Sequence, residues 1–114
     1  MKSYLKYQNK KTMVDNIYFA SIKESQYYQE LKLLYKAGEV VKFELQPEFI
    51  LQDKFKKNGK TIRAIKYIAD FRVLYPNGKE EIVEVKGYDK NKVWLLKQKM
   101  FEYFWPDLSL TLIK

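Results

Sequence analysis

The chain has 114 residues, with 22 Lys and Arg against 14 Asp and Glu, and a formal charge of +8. Apolar residues at 46% and charged residues at 32% describe one folded domain, not a disordered tail. The absence of His and Cys excludes thiol nucleophiles, disulfides, Cys/His zinc sites and His-dependent triads. A general base must then be Lys, Asp, Glu or Tyr. A bound metal must rest on oxygen ligands, which suits Mg²⁺, Mn²⁺ or Ca²⁺.

In chain order, residues 1–12 form a basic arm ahead of a domain spanning 13–114. Thr12–Phe19 reads as a short hairpin turning at Asp15-Asn16. Ile22–Ala37 has Tyr27, Leu31, Leu34 and Tyr35 at helical spacing, and Gly38 is a natural stop. Val40–Leu51 looks extended, with Pro47 marking an edge or a bulge. Ile62–Leu74 alternates, placing Ile65, Tyr67, Ala69, Phe71 and Val73 on one face and Asp70 and Arg72 on the other. A Pro76-Asn77-Gly78 turn leads into a returning strand, Glu81–Lys86. Asp89 is placed to cap a second helix with an apolar stripe of Val93, Leu96, Met100 and Phe104, and Leu108–Ile113 is a last strand. The predicted order is α-β-β-β-α-β, an α/β layer fold with a mixed sheet flanked by helices.

The positive charge is clustered. Lys2, Lys6, Lys10 and Lys11 fall in the arm. Lys54, Lys56, Lys57, Lys60, Arg63 and Lys66 form a second acid-free run, and Lys86, Lys90, Lys92, Lys97 and Lys99 a third with Asp89 as its only acid. Any one cluster fits an ordinary solvated surface. Three around one small core favour a polyanion, because phosphate contacts release condensed counterions. Lys6, Lys10, Lys11, Lys57, Lys60, Arg63, Lys90 and Lys92 are the candidate DNA contacts. No apolar run approaches membrane-spanning length and no signal-peptide core follows the basic start, so a cytoplasmic location is expected.

The two central strands carry the chemistry. Asp70 and Glu84 are each seven residues from Asn77, so they should lie opposite one another, and alternation puts Lys86 on the face of Glu84. Like charges across a sheet call for a compensating cation, which Lys86 or a divalent metal would supply. Ser21-x-x-Glu24 at the start of the first helix fits a capping box.

Ala69-Asp70 followed by Glu84-Val85-Lys86 resembles the PD-(D/E)XK nuclease signature, with Ala69 in place of its Pro. The flanking segments resemble the small phage and prophage branch of that superfamily, the endonuclease I-type resolvases of four-way (Holliday) DNA junctions. They are Lys6 to Thr12, Asp15 to Ser21 leading to Glu24, Glu44-Leu45-Gln46-Pro47, Tyr67-Ile68-Ala69-Asp70-Phe71 and Val85-Lys86-Gly87.

The resemblance implies a restriction-endonuclease-like core and a Mg²⁺-dependent phosphodiesterase, with Mn²⁺ substituting. It assigns Asp70, Glu84 and Glu24 to the metal and Lys86 to the attacking water or the phosphate. It further implies DNA recombination on branched substrates by a homodimer, in the cytoplasm of a bacterial host. The alternatives are a flap, nicking or restriction-like endonuclease on the same core, or a non-catalytic nucleic-acid-binding phage accessory protein.

Overall fold

The computed structural model describes residues 12–85 and 91–113. Strands β1 (Thr12–Val14) and β2 (Ile17–Phe19) pair antiparallel around Asp15-Asn16, both with positive φ (54° and 64°), as a tight two-residue hairpin turn needs. Helix α1 (Ile22–Lys36) starts at Ser21, whose Oγ accepts the Glu24 N–H at 3.1 Å. It ends where Gly38 takes φ +81°, and the Glu39 N–H then closes onto the Leu34 carbonyl.

Between the helices the described residues form seven strands, not three. They are β3 (Lys42–Leu45), β4 (Glu48–Gln52), β5 (Phe55–Lys57), β6 (Lys60–Ile62), β7 (Ile65–Ile68), β8 (Phe71–Leu74) and β9 (Glu80–Val85), followed by α2 (Lys92–Phe104) and β10 (Ser109–Ile113). The extended stretch 40–51 breaks at Gln46 (φ +49°) and Pro47, so β3 joins the main sheet while β4 leaves it. That sheet runs β10-β9-β8-β3. The β9–β10 pair is parallel and the others antiparallel, giving the expected mixed sheet in an α/β architecture.

The expected single strand 62–74 is divided at Ala69-Asp70. Before the break β7 pairs with β4, and after it β8 pairs with β3 and β9. The backbone changes partners within two residues: the Ala69 N–H donates to Pro47 O, the Asp70 N–H to Val83 O, and the Gln46 N–H to Asp70 O. The five residues expected on one face are therefore split. Phe71 and Val73 join Phe19, Tyr28, Leu31, Val40 and Val83 in a core under α1. Tyr67 and Ala69 join Phe49, Leu51, Ile82, Trp94 and Phe101 in a second core under α2, and Ile65 is exposed. Neighbours Ile82 and Val83 point into different cores, so each sheet face carries its own helix.

Helix α2 departs from expectation twice. Its cap is Asn91, whose Oδ1 accepts the Trp94 N–H at 2.7 Å; Asp89 lies outside the described residues. The buried stripe is Trp94 and Phe101, supported by Met100 and Trp105, while Val93 and Leu96 remain 62% and 59% exposed. The helix is rotated because aromatic rings bury more area than Val or Leu. Phe49 meets Phe101 at 4.8 Å and Trp105 at 5.1 Å between ring centroids, and Tyr67 meets Phe101 at 5.2 Å. Phe101→Ala should therefore cost about 3–5 kcal/mol. Leu96→Ala should stay within about 0.5 kcal/mol of the parent. Urea unfolding of both variants measures the difference.

Candidate active site

The β8–β9 ladder pairs Phe71 with Val83, Arg72 with Ile82, Val73 with Glu81 and Leu74 with Glu80. One further step along the same register brings Asp70 opposite Glu84, as the turn-centred count predicts. Asp70 sits just before β8 and is half-buried; its Oδ2 accepts the Val85 N–H at 2.6 Å. Glu84, inside β9, is only 3% exposed, and its Oε2 accepts the Tyr67 hydroxyl at 2.5 Å. Burial and the Glu84 carboxylate push the Tyr67 hydroxyl far above the ordinary phenol range, so it acts as a donor at any physiological pH.

Glu24 enters from the first turn of α1 and is 7% exposed. The capping box is half formed. Ser21 Oγ holds the Glu24 amide, but Glu24 Oε1 accepts the Ala20 N–H at 3.2 Å, one residue ahead of the cap. Its carboxyl is raised to about 8, first by burial, then by a side-chain hydrogen bond to Asp70 and that residue's charge, with the Glu84 charge adding to it. The shift favours the protonated form of Glu24 at neutral pH. The cluster brings together Glu24, Asp70 and Glu84 from α1, the Ala69-Asp70 break and β9.

Whether a cation suits this cluster can be judged from its atoms. All three groups offer hard carboxylate oxygens, and the charges of Asp70 and Glu84 add to burial in raising the Glu24 carboxyl. The cluster is not a finished cage. Among the described residues, no group of three or more acidic side chains is already set at ligating geometry. One oxygen of each carboxylate is held by a donor of the fold, Ala20, Val85 or Tyr67. The donor chemistry, three sets of carboxylate oxygens, is of the kind a divalent ion takes.

The other expected contacts are dispersed. Lys57, Lys60 and Arg63 are exposed on or beside the β5–β6 hairpin, with Lys57 directly opposite Lys60. Like charges in register are unfavourable unless an anion covers them. Lys66, in the same acid-free run, is instead paired with Glu48 at 3.3 Å. Lys92 is exposed at the first residue of α2. Lys6, Lys10, Lys11, Lys86 and Lys90 lie outside the described residues.

The sequence reading missed Tyr67 as a partner of Glu84, although a strand tyrosine placed in a core must find a partner for its hydroxyl. It also missed the hairpin, although Asn58-Gly59, both with positive φ (52° and 76°), is a strong two-residue turn signal.

Together these features define a mixed-sheet α/β domain with a buried carboxylate cluster at the point where one strand changes partners. Residues 4–114 match the profile of a family described as "Protein of unknown function (DUF1064)", and the chain belongs to that family. No curated protein and no solved structure matches the chain. Among the described residues, no helix is long and apolar enough to cross a membrane.

The raised Glu24 carboxyl makes stability pH-dependent. The folded state holds its proton up to about pH 8, whereas an unfolded glutamate releases it near 4.5. The contribution is full below pH 4.5 and is lost as pH rises through 8. In a chelator, parent stability should therefore fall across this window by up to a few kcal/mol relative to Glu24→Gln, at about 1.4 kcal/mol per unit. Denaturant titrations of both proteins from pH 5 to 8.5 test this, and parallel profiles would return Glu24 to a purely capping role.

Proposed function

We propose that the chain is a divalent-metal-dependent endodeoxyribonuclease acting on branched DNA. The observation that carries this reading is the convergence of Glu24, Asp70 and Glu84 on one patch, where burial and the neighbouring carboxylates raise the Glu24 carboxyl. The resemblance of Asp70, Glu84, Lys86 and the helix Glu24 to the PD-(D/E)XK signature supports the same chemistry and a restriction-endonuclease-like topology.

Asp70 and Glu84 would hold Mg²⁺ or Mn²⁺, with Glu24 as the third carboxylate. When bound, the ion supplies Lewis-acid charge that offsets the scissile phosphate and makes water a better nucleophile. Tyr67 keeps Glu84 oriented through its 2.5 Å hydrogen bond, and the Val85 N–H does the same for Asp70. Glu24, its carboxyl raised by burial and by its neighbours, would have to ionise to serve as a ligand. Lys86, two residues beyond Glu84 in the sequence, is assigned to orienting the attacking water or balancing charge at phosphorus.

The exposed Lys57, Lys60 and Arg63 of the hairpin region would contact the phosphate backbone without reading bases. Paired cuts across a four-way junction need two such sites, hence a two-fold dimer. The apolar side chains that α2 leaves exposed, Val93, Leu96, Tyr103 and Phe104, offer a face for it.

Asp70→Asn should abolish Mg²⁺-dependent cleavage of labelled junction, flap and nicked DNA while leaving binding in chelator intact. Full cleavage by this variant would overturn the site. Tyr67→Phe removes an oxygen without changing the ring. It should slow cleavage by two powers of ten or more, about 2.7 kcal/mol of barrier, with folding retained. Titration calorimetry of Mg²⁺ at pH 7 in buffers of different ionisation enthalpy should show close to one proton released per ion in the parent and none in Glu24→Gln.

A further inference from the structure

On the α1 side of the sheet, away from the α2 core, Tyr28, Lys32, Tyr35, Lys36, Lys42 and Phe43 line a groove of about 450 Å³. Its floor is aromatic. Tyr28 and Tyr35 each approach Phe43 edge to face, at 6.1 and 6.4 Å between centroids. Tyr28 is committed below: its hydroxyl donates to Asp15, and the Lys32 ammonium lies 5.5 Å from its ring centroid. Tyr35 is not. The residue is 55% exposed, and Phe43 is its one ring partner among the described residues.

The rim is cationic. Lys32 is neutralised by Asp15 at 2.5 Å, but among the described residues neither Lys36 nor Lys42 forms an ion pair. An exposed ring steadied by a second aromatic and bordered by two uncompensated ammonium groups wants a flat, polarisable group carrying a negative charge. A nucleobase with its own phosphate has that chemistry, and an apolar peptide segment does not.

We infer that this groove holds an unpaired base of a single-stranded DNA segment, stacked on Tyr35 with its phosphate between Lys36 and Lys42. A duplex is the poorer ligand because the faces of its bases are already stacked on one another. The inference rests on the reading that the partner is nucleic acid, and it adds which form of nucleic acid and where. Tyr35 and Glu24 stand on the same helix, roughly 16 Å apart along its axis at 1.5 Å per residue. The groove and the carboxylate cluster are therefore separate, and a base seated at Tyr35 would not occupy the cluster. Such a segment is present at a flap and at an opened junction, and absent from an intact duplex.

The test is fluorescence anisotropy of the full chain with fluorescein-labelled twelve-nucleotide oligo(dT) and with a duplex of equal length, both in chelator so that no cleavage occurs. Tyr35→Ala should weaken oligo(dT) binding about tenfold or more while changing duplex binding less than twofold, and Tyr35→Phe should bind both as the parent does. The double variant Lys36→Ala/Lys42→Ala should weaken oligo(dT) binding and flatten its salt dependence. Unchanged oligo(dT) binding by Tyr35→Ala, or equal losses for single strand and duplex, would overturn the inference. So would displacement of oligo(dT) by free thymidine monophosphate at equal nucleotide concentration, since the ligand would then be a mononucleotide. Cleavage is not read here. A parent that cuts no DNA but shows the Tyr35 dependence removes the nuclease reading alone, and a parent that cuts without that dependence removes the groove alone.

Discussion

Asp70 is the residue on which the two halves of the molecule are hinged together. Its N–H donates to Val83, its carbonyl accepts from Gln46, and its carboxylate accepts from Val85. Three polar groups of one half-buried residue are thus satisfied by two different chain segments. Leaving any of them unmade would carry the full desolvation cost of that group. The consequence is topological. At this residue the chain leaves the β4–β7 ribbon, enters the four-stranded sheet, and crosses from the core under α2 to the core under α1. A leucine there would bury well but would leave the Val85 amide unanswered and the crossing undefined.

That geometry creates an electrostatic problem which the fold contains without removing. Glu84 must lie beside Asp70 because the β8–β9 register puts it there, and Glu24 must approach both because Ser21 fixes the first turn of α1. Three acids in a poorly solvated patch do not all ionise at neutral pH, so one keeps a proton. A protein selected only for stability would replace such a cluster with apolar residues of similar volume. Clusters of perturbed titratable groups of this kind gather at functional sites more often than elsewhere.

Much of this was legible in the residues, and the parts that were not share a cause. The Asp15-Asn16 turn, the Gly38 stop and the equal spacing of Asp70 and Glu84 about Asn77 are local signals read over a few residues, and each matches the structure. The missed features are decided by competition at a distance. Alternation through Ile65 to Val73 is equally good for one long strand or two short ones, and Gln46 and Pro47 settle the matter from another segment. Either face of α2 offers an apolar stripe, and the ring of Phe49 selects the aromatic one. A capping box would send the second bond of Glu24 to the cap residue, whereas it goes to Ala20. The Asn58-Gly59 hairpin was legible and was masked by the charge of the lysines around it.

The order of pairing in the main sheet also bears on how the molecule is made. β9, which carries Glu84, has β8 on one side through a tight turn and β10 on the other through the whole of α2. The antiparallel neighbour is local and forms early, whereas the parallel one waits for a crossover helix and for the segment 109–113. During synthesis the strand bearing Glu84 therefore remains an unprotected edge until nearly the last described residue has emerged, and Trp94 and Phe101 have no complete core to enter before then. The carboxylate cluster is accordingly among the last of the described parts to acquire its final surroundings.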